Sequence, residues 1–286
     1  LEDALKGLVI DGVKVHFVAT VEHRGAIVLE GEGLSGKISD IDPHEIGKKV
    51  LMAEPLVPEA KKTADVINKL VKIAHEKFEH LSLNDERKKR GLPVANGLLL
   101  RGPGQHAEIP TLKQKFGITS TVLAGGALYI GTARYVGMQH ISVEGQTGRI
   151  DTNFDNIAKK AIERIESGDN YLFIHIKATD NASHDGNHAE KVLAIERTDE
   201  MVGRLVDQVG DKIVLAVTGD HTTPVEVGEH TCDPVPIALW SNFLRADSIE
   251  KFSEIDASRG ALSGIRGIDV MSLLLGYAGY IEKMGA

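Results

Sequence analysis

The 286-residue sequence predicts an α/β protein: a three-layer sandwich with a mostly parallel sheet, accompanied by a smaller α+β domain. Three observations carry this. From about residue 108 onward, short apolar runs alternate with amphipathic stretches of helical period. Before that point the pattern differs: two adjacent strand-like runs, a loop rich in Gly, Asp and Pro, and one long helix. The composition, 42% hydrophobic and 26% charged, is ordinary for a globular protein, and the length suits one large or two moderate domains. The predicted division is 1–107 and 108–286.

Taken in order, residues 13–18 (VKVHFV) alternate and meet Glu22-His23-Arg24-Gly25, followed by the apolar run 26–29. Two short strands around a polar turn are expected. Residues 31–58 read as loop. Apolar residues at Ala60, Ala64, Ile67, Leu70, Val71, Ala74 and Phe78 keep a spacing of three and four, so 59–80 should be an amphipathic helix. A basic stretch leads to 95–104, expected as a strand ending in a Gly-rich turn. A helix start at 111–116, a strand at 120–123, a helix at 127–136 and a short strand at 141–143 follow. Helix 153–167, strand 171–177 (YLFIHIK), helix 189–209 and strand 212–218 (KIVLAVT) make the clearest alternation. An irregular segment up to 264 precedes a closing helix at 268–277.

Several partners are excluded on charge and length. Lys plus Arg total 33 against 41 Asp plus Glu, a formal charge of −8, and no basic stripe is evident. Duplex nucleic acid is therefore not an expected partner. No apolar stretch reaches the 18 or so residues of a spanning helix, so no membrane partner is expected. A single cysteine, Cys232, excludes an intrachain disulfide framework and a cysteine-based zinc knot. That fits a reducing compartment, with the cytoplasm as the expected location.

The two most apolar strands run directly into polar residues. The first leads to Asp180 and, four residues on, His184; the second leads to Asp220 and His221, with His230 nine residues further. Ligands of open parallel sheets bind at the carboxyl ends of the strands, where these five would converge. Carboxylate oxygen and imidazole nitrogen suit a divalent zinc or manganese ion, whereas calcium would want nearly all oxygen. A helical turn beginning at Asp180 would put His184 on the same face. Five ligands exceed one tetrahedral site and fall short of two, as in a two-metal centre with one half short of protein ligands. The competing reading, that each Asp-His pair only caps a helix, weakens because the whole set follows two buried strands. His188 reads as helix surface, and His175, inside the strand, as a core histidine rather than a ligand.

The stretches HIKATDNASHDGN (175–187), KVLAIERTDEMVG (191–203) and TGDHTTPVEVGEHTCDPVPIALW (218–240) closely resemble the archaeal-type cofactor-independent phosphoglycerate mutases of the alkaline phosphatase superfamily. The likeness extends to HRGAIVLEGEGLSGKISDIDPH (23–44), ERKKRGLPVANGLLLRGPG (86–104) and GIRGIDVMSLLLGYAG (264–279), so it covers nearly the whole chain. The resemblance implies an alkaline-phosphatase-like α/β domain into which a smaller substrate-clamping domain is inserted. It implies one metal held by Asp180, His184 and His230, and a second held by Asp220 and His221. An Asp and a nucleophilic Ser would come from an N-terminal segment. Neither motif occurs in residues 1–286, so the expectation is the C-terminal two-thirds of a longer enzyme, inactive alone. Thr222 and Thr223 are the hydroxyls nearest the Asp220–His221 pair.

The implied reaction interconverts 3-phosphoglycerate and 2-phosphoglycerate through a phosphoserine, in glycolysis and gluconeogenesis. It needs two divalent ions, manganese favoured over zinc or magnesium, and no 2,3-bisphosphoglycerate. The partner is thus a small phosphorylated metabolite. Guanidinium groups suit a carboxylate or phosphate grip, so Arg24 is the expected clamp, with His23, Asp40, His44, Arg90 and Arg101 also at the substrate. Asp42 is the expected proton shuttle between the glycerate hydroxyls, and Asp40 competes for that role. An Asx-turn before Pro43 is the alternative for either. Arg87 and Lys88 fit a solvated face equally well, and Asn96 could orient substrate or mark an element boundary. Two departures from the family stand out: Tyr129 and Ile130 lie where a basic residue is common, and Cys232 where glycine is usual. The alternatives are a phosphomonoesterase, a mutase for another small phosphorylated metabolite, or a non-catalytic metal-binding protein.

Overall fold

A computed structural model describes residues 1–20 and 24–281. The chain forms two compact units, Leu1–Glu108 and Ile109–Ala286.

In the first unit, helix α1 (Glu2–Leu5) leads into an antiparallel sheet of β1 (Val9–Ile10), β2 (Val13–Ala19) and β3 (Gly25–Glu30), in that order. Asp11 and Gly12 both take positive φ, 49° and 78°, as a two-residue hairpin between paired Ile10 and Val13 requires. The register Lys14↔Glu30 sets an ion pair on the exposed face, while Val13 and Val15 turn into the core. Helix α2 (Lys61–Glu79) follows a turn of 3₁₀ helix at Pro58–Ala60 and buries Ala64, Ile67, Leu70, Ala74 and Phe78, the stripe that the spacing predicts. Those side chains pack with Leu5, Val13, Val15 and Ile41 in one core.

Two expectations in this unit need correction. Helix α3 (Ser82–Lys89) occupies the stretch read only as basic. Its one buried residue, Asn84, donates to the carbonyls of Phe78 (2.7 Å) and Ala95 (3.2 Å) and accepts from Ala95 N–H (2.7 Å). Residues 95–104 are not a strand. The segment is tied by scattered bonds, Ile41 N–H to Leu100 O (3.0 Å) and Gly102 N–H to Asp40 Oδ1 (2.9 Å), rather than by a ladder.

In the second unit, α4 (Leu112–Phe116) starts at Thr111 with a reciprocal capping box to Gln114 and ends at Gly117, whose left-handed φ of 70° suits glycine. Strand β4 (Ser120–Ala124) is buried at every position and pairs in parallel with β5 (Gln139–His140) and β6 (Tyr171–His175). Leu123 joins a core with Phe154, Ile157 and Ala161 of α6 (Phe154–Glu166) and Met201 and Leu205 of α8 (His188–Val209). Val122 and Ala124 join a separate core with Ala133 of α5 (Ala127–Tyr135). Helices thus cover both faces of β4, which is the three-layer arrangement the sequence predicts. The short strand expected at 141–143 lies instead at Gln139–His140, where β4 offers its edge; Val143 goes into the core.

Strands β7 (Leu215–Thr218) and β8 (Ile237–Trp240) form a separate antiparallel pair. The connection between them carries no crossover helix, so it can fold back without the parallel geometry of β4–β6. Between α8 and β7, a Cβ added at Gly210 would lie 2.8 Å from the Trp240 ring, so this close seat requires glycine. Helices α9 (Glu254–Ala257) and α10 (Gly267–Tyr277) complete the unit. No helix among the described residues is long and apolar enough to cross a membrane.

Candidate metal centre

Strand β6 ends at His175, and α7 (Ala178–His184) begins after two intervening residues. Asp180 stands in its first turn and His184 in its last, so the four-residue spacing puts both on one face. The loop after β7 brings Asp220, His221, Thr223 and His230 to the same place. His184 Nε2 and His230 Nε2 lie 3.3 and 3.5 Å from Asp180 Oδ1, and 3.3 Å from each other. His221 also has a ligand atom within 4.8 Å of those of Asp180 and His230, and its ring stacks on His230 at 3.7 Å. Asp220 Oδ2 lies 3.5 Å from His221 Nε2 and is exposed. Asp180, His184, His221 and His230 are therefore brought together, while Asp220 reaches the group only through its neighbour His221. His221 reaches across to the Asp180–His230 pair rather than standing apart with Asp220.

The donor set fits a divalent cation. Tetrahedral ligands about 2.0–2.2 Å from an ion stand roughly 3.3–3.6 Å apart, and the Asp180–His184–His230 triangle has edges of 3.3, 3.3 and 3.5 Å. His184 Nδ1 lies 2.7 Å from Gly228 O; a carbonyl only accepts, so Nδ1 carries the proton and Nε2 presents a lone pair inward. A carboxylate oxygen and an imidazole lone pair facing each other at 3.3 Å are spaced to share one cation.

Electrostatics keep the carboxylate ready. Burial alone would raise the Asp180 pKa. The hydrogen bonds from Lys177 to Oδ2 and from Thr223 Oγ1 to Oδ1 outweigh it and hold the acid below the usual range. Lys177 is correspondingly raised: burial opposes its charge, but Asp180 more than compensates. His175 stacks on Tyr129 at 3.4 Å, and burial lowers its pKa to about 4, so it is neutral near pH 7. Its buried Nδ1 has no hydrogen-bond partner among the described residues. Sequence reasoning left Lys177 and the Gly228 carbonyl out; their nearness to ligands in HIKATD and VGEH was the signal available. His188 is exposed at the start of α8 and takes no part in the cluster, and Cys232 is exposed.

In the first unit, Arg24 is exposed and immediately precedes β3, its carbonyl held by Thr20 N–H at 3.0 Å. His23 lies outside the described residues. Asp40, Asp42 and His44 are brought together: His44 Nε2 is 3.9 Å from Asp40 Oδ2, and Nδ1 is 4.0 Å from Asp42 Oδ2. Asp42 Oδ1 accepts from His44 N–H at 2.9 Å, an Asx-type turn across Pro43, with His44 at φ 54°. Gly102 N–H donates to Asp40, which sets Arg101 one residue from this cluster in the chain. Arg90 follows α3 and is exposed, and Arg87 Nε donates to Pro93 O at 2.7 Å.

An α/β sandwich with carboxylates and imidazoles gathered beyond its strand ends defines a metal-dependent enzyme, and residues 47–277 match the metalloenzyme superfamily. Residues 1–84 match 2,3-bisphosphoglycerate-independent phosphoglycerate mutase. The chain belongs to that mutase family. It is 42% identical to "2,3-bisphosphoglycerate-independent phosphoglycerate mutase 1" of Methanocaldococcus jannaschii over 289 residues, covering 100% of this chain and 70% of that protein. A relative of the same description from Sulfurisphaera tokodaii is 45% identical over 280 residues, covering 97% of this chain and 67% of that protein. The solved cofactor-independent phosphoglycerate mutase of Thermoplasma acidophilum superposes with a TM-score of 0.67 at 26% identity, over 97% of this chain and 68% of that one.

Proposed function

We propose that the protein carrying this chain interconverts 3-phosphoglycerate and 2-phosphoglycerate through a phosphoserine, with two divalent ions, manganese favoured, and no 2,3-bisphosphoglycerate. The observation that carries the reading is the Asp180–His184–His230 triangle, with tetrahedral edge lengths, in a chain of this family. Asp180, His184 and His230 would hold one ion, and Asp220 and His221 the protein's share of the other. Bound there, the ions supply charge neutralisation at the transferring phosphoryl group and a lowered pKa for the attacking hydroxyl.

The remaining work falls to side chains. Lys177 and Thr223 keep the Asp180 carboxylate ionised and aimed. Gly228 O holds His184 in the tautomer with Nε2 free. In the first unit, Arg24 grips the glycerate carboxylate, with His23, Arg90 and Arg101 as further contacts. Asp42 carries the proton between the glycerate hydroxyls, with Asp40 and His44 beside it. A mutase must retain glycerate between its two transfers, whereas a phosphatase need not. Arg24→Ala should therefore lower mutase activity by about two orders of magnitude, the effect of losing roughly 2–5 kcal/mol of charged contact. The released-phosphate fraction should rise with it. The measurement is inorganic phosphate against 2-phosphoglycerate, the latter read by coupling to enolase. An unchanged ratio and rate would remove Arg24 from the clamp, and phosphate as sole product in the parent enzyme would favour a phosphomonoesterase.

A further inference from the structure

The hydroxyl of Thr223 joins the two groups of ligands. Thr223 is 5% exposed, and its Oγ1 lies 2.9 Å from Asp180 Oδ1 and 3.1 Å from His221 Nδ1. A hydroxyl has one proton to give, and an ionised carboxylate only accepts. The proton is therefore committed to Asp180, so toward His221 the oxygen can only accept. His221 Nδ1 must then carry hydrogen, which leaves the Nε2 lone pair for an ion. The loop is fixed independently of this hydroxyl: Lys191 Nζ donates to Thr223 O at 2.8 Å, and Thr231 N–H donates to Thr222 O at 2.9 Å.

We propose that Thr223 is a positioning residue of the metal centre: it selects the His221 tautomer and orients Asp180 through one shared hydroxyl, so that the ligands on α7 and on the loop after β7 bind metal as a unit. This rests on the metal-binding part of the proposed function. Hydrogen-bond partners of metal ligands typically govern affinity by about 10- to 100-fold. The consequence is specific. Valine keeps the shape of threonine and loses the hydroxyl, whereas serine keeps the hydroxyl and loses a methyl group.

The test is a titration of the chain and its Thr223→Val and Thr223→Ser variants with Co2+, followed by the d–d absorption bands, and with Mn2+, followed by calorimetry. Melting in EDTA reports the metal-free fold. Thr223→Val should bind both ions about 10- to 100-fold more weakly, with altered Co2+ band intensities. Thr223→Ser should stay within about threefold of the parent and keep its spectrum. Parental affinity and spectrum in the valine variant would overturn the inference while leaving the metal reading intact. Equal losses in the serine and valine variants would also overturn it, since packing of the methyl group would then be the cause. If the valine variant does not fold in EDTA, the serine variant decides alone on the same threefold criterion. A parent chain that binds neither ion would overturn the metal reading itself, and this inference with it.

Discussion

At His175, burial opposes the charged form strongly enough to bring the pKa from 6.5 to about 4, even though Asp220 and Asp180 pull the other way. The unfolded chain therefore takes up a proton before the folded protein does, as pH falls below about 6.5. The stabilisation is complete above the unfolded value and is lost as pH falls from there toward about 4. We expect the His175 ring to titrate near 4 by NMR, with the Tyr129 stack preserved at pH 6; a midpoint near 6.5 would contradict the burial. The position also shows what a sequence can and cannot carry. Asp180 and His184 could be paired in advance because helical spacing alone places them on one face. The approach of His221 to Asp180 and His230 could not, because it depends on Thr223 and Lys191 fixing a loop that has no period.

Among the elements, α2 and α6 were legible because their apolar residues repeat at the helical period, and β6 because its apolar residues form one short continuous run. Helix α3 was not: its residues are mostly charged and polar, and its one buried side chain, Asn84, is bonded to backbone on both sides. Asn84→Ala would leave two carbonyls and one N–H without that partner, and should cost about 3 kcal/mol in denaturant unfolding. A loss below about 0.5 kcal/mol would mean that water replaces the amide. Strand β5 was misplaced because polar Gln139 and His140 pair through backbone alone, which hydrophobic patterning does not record. At the end of α6, Arg164 grips Asp169 with two hydrogen bonds of 2.9 Å. Burial would raise the Asp169 pKa, but the Arg164 bonds and charge outweigh it and the net shift is downward. Its contribution is therefore present above the unfolded carboxylate value and lost as pH falls below about 4. The urea midpoint of Asp169→Asn should accordingly be less sensitive to acid than the parent's between pH 5 and pH 3.

At the scale of the whole molecule, each unit has its own core: α2 against β1 and β2 in the first, and β4 between helices in the second. The predicted ligands all lie in the second unit. Metal should therefore raise the melting of that unit and leave the first unchanged. An ion at 100 times its Kd adds about 2.7 kcal/mol to the state that binds it. For a unit of this size that corresponds to roughly 5–10 °C. Scanning calorimetry in EDTA and in Mn2+ should show one transition moving past a stationary one; a joint shift of all the heat absorbed would mean that the units melt together.

The indole seated on Gly210 offers a way to watch half of this protein by light. Trp240 is the sole tryptophan, and all five tyrosines (Tyr129, Tyr135, Tyr171, Tyr277 and Tyr280) also lie beyond residue 108. The first unit, with neither residue type, is dark to near-ultraviolet fluorescence. An emission melt is thus a private record of the unit with the candidate metal ligands, while far-ultraviolet dichroism hears both. Where the two curves part company, the difference belongs to the unit that carries Arg24 and Asp42.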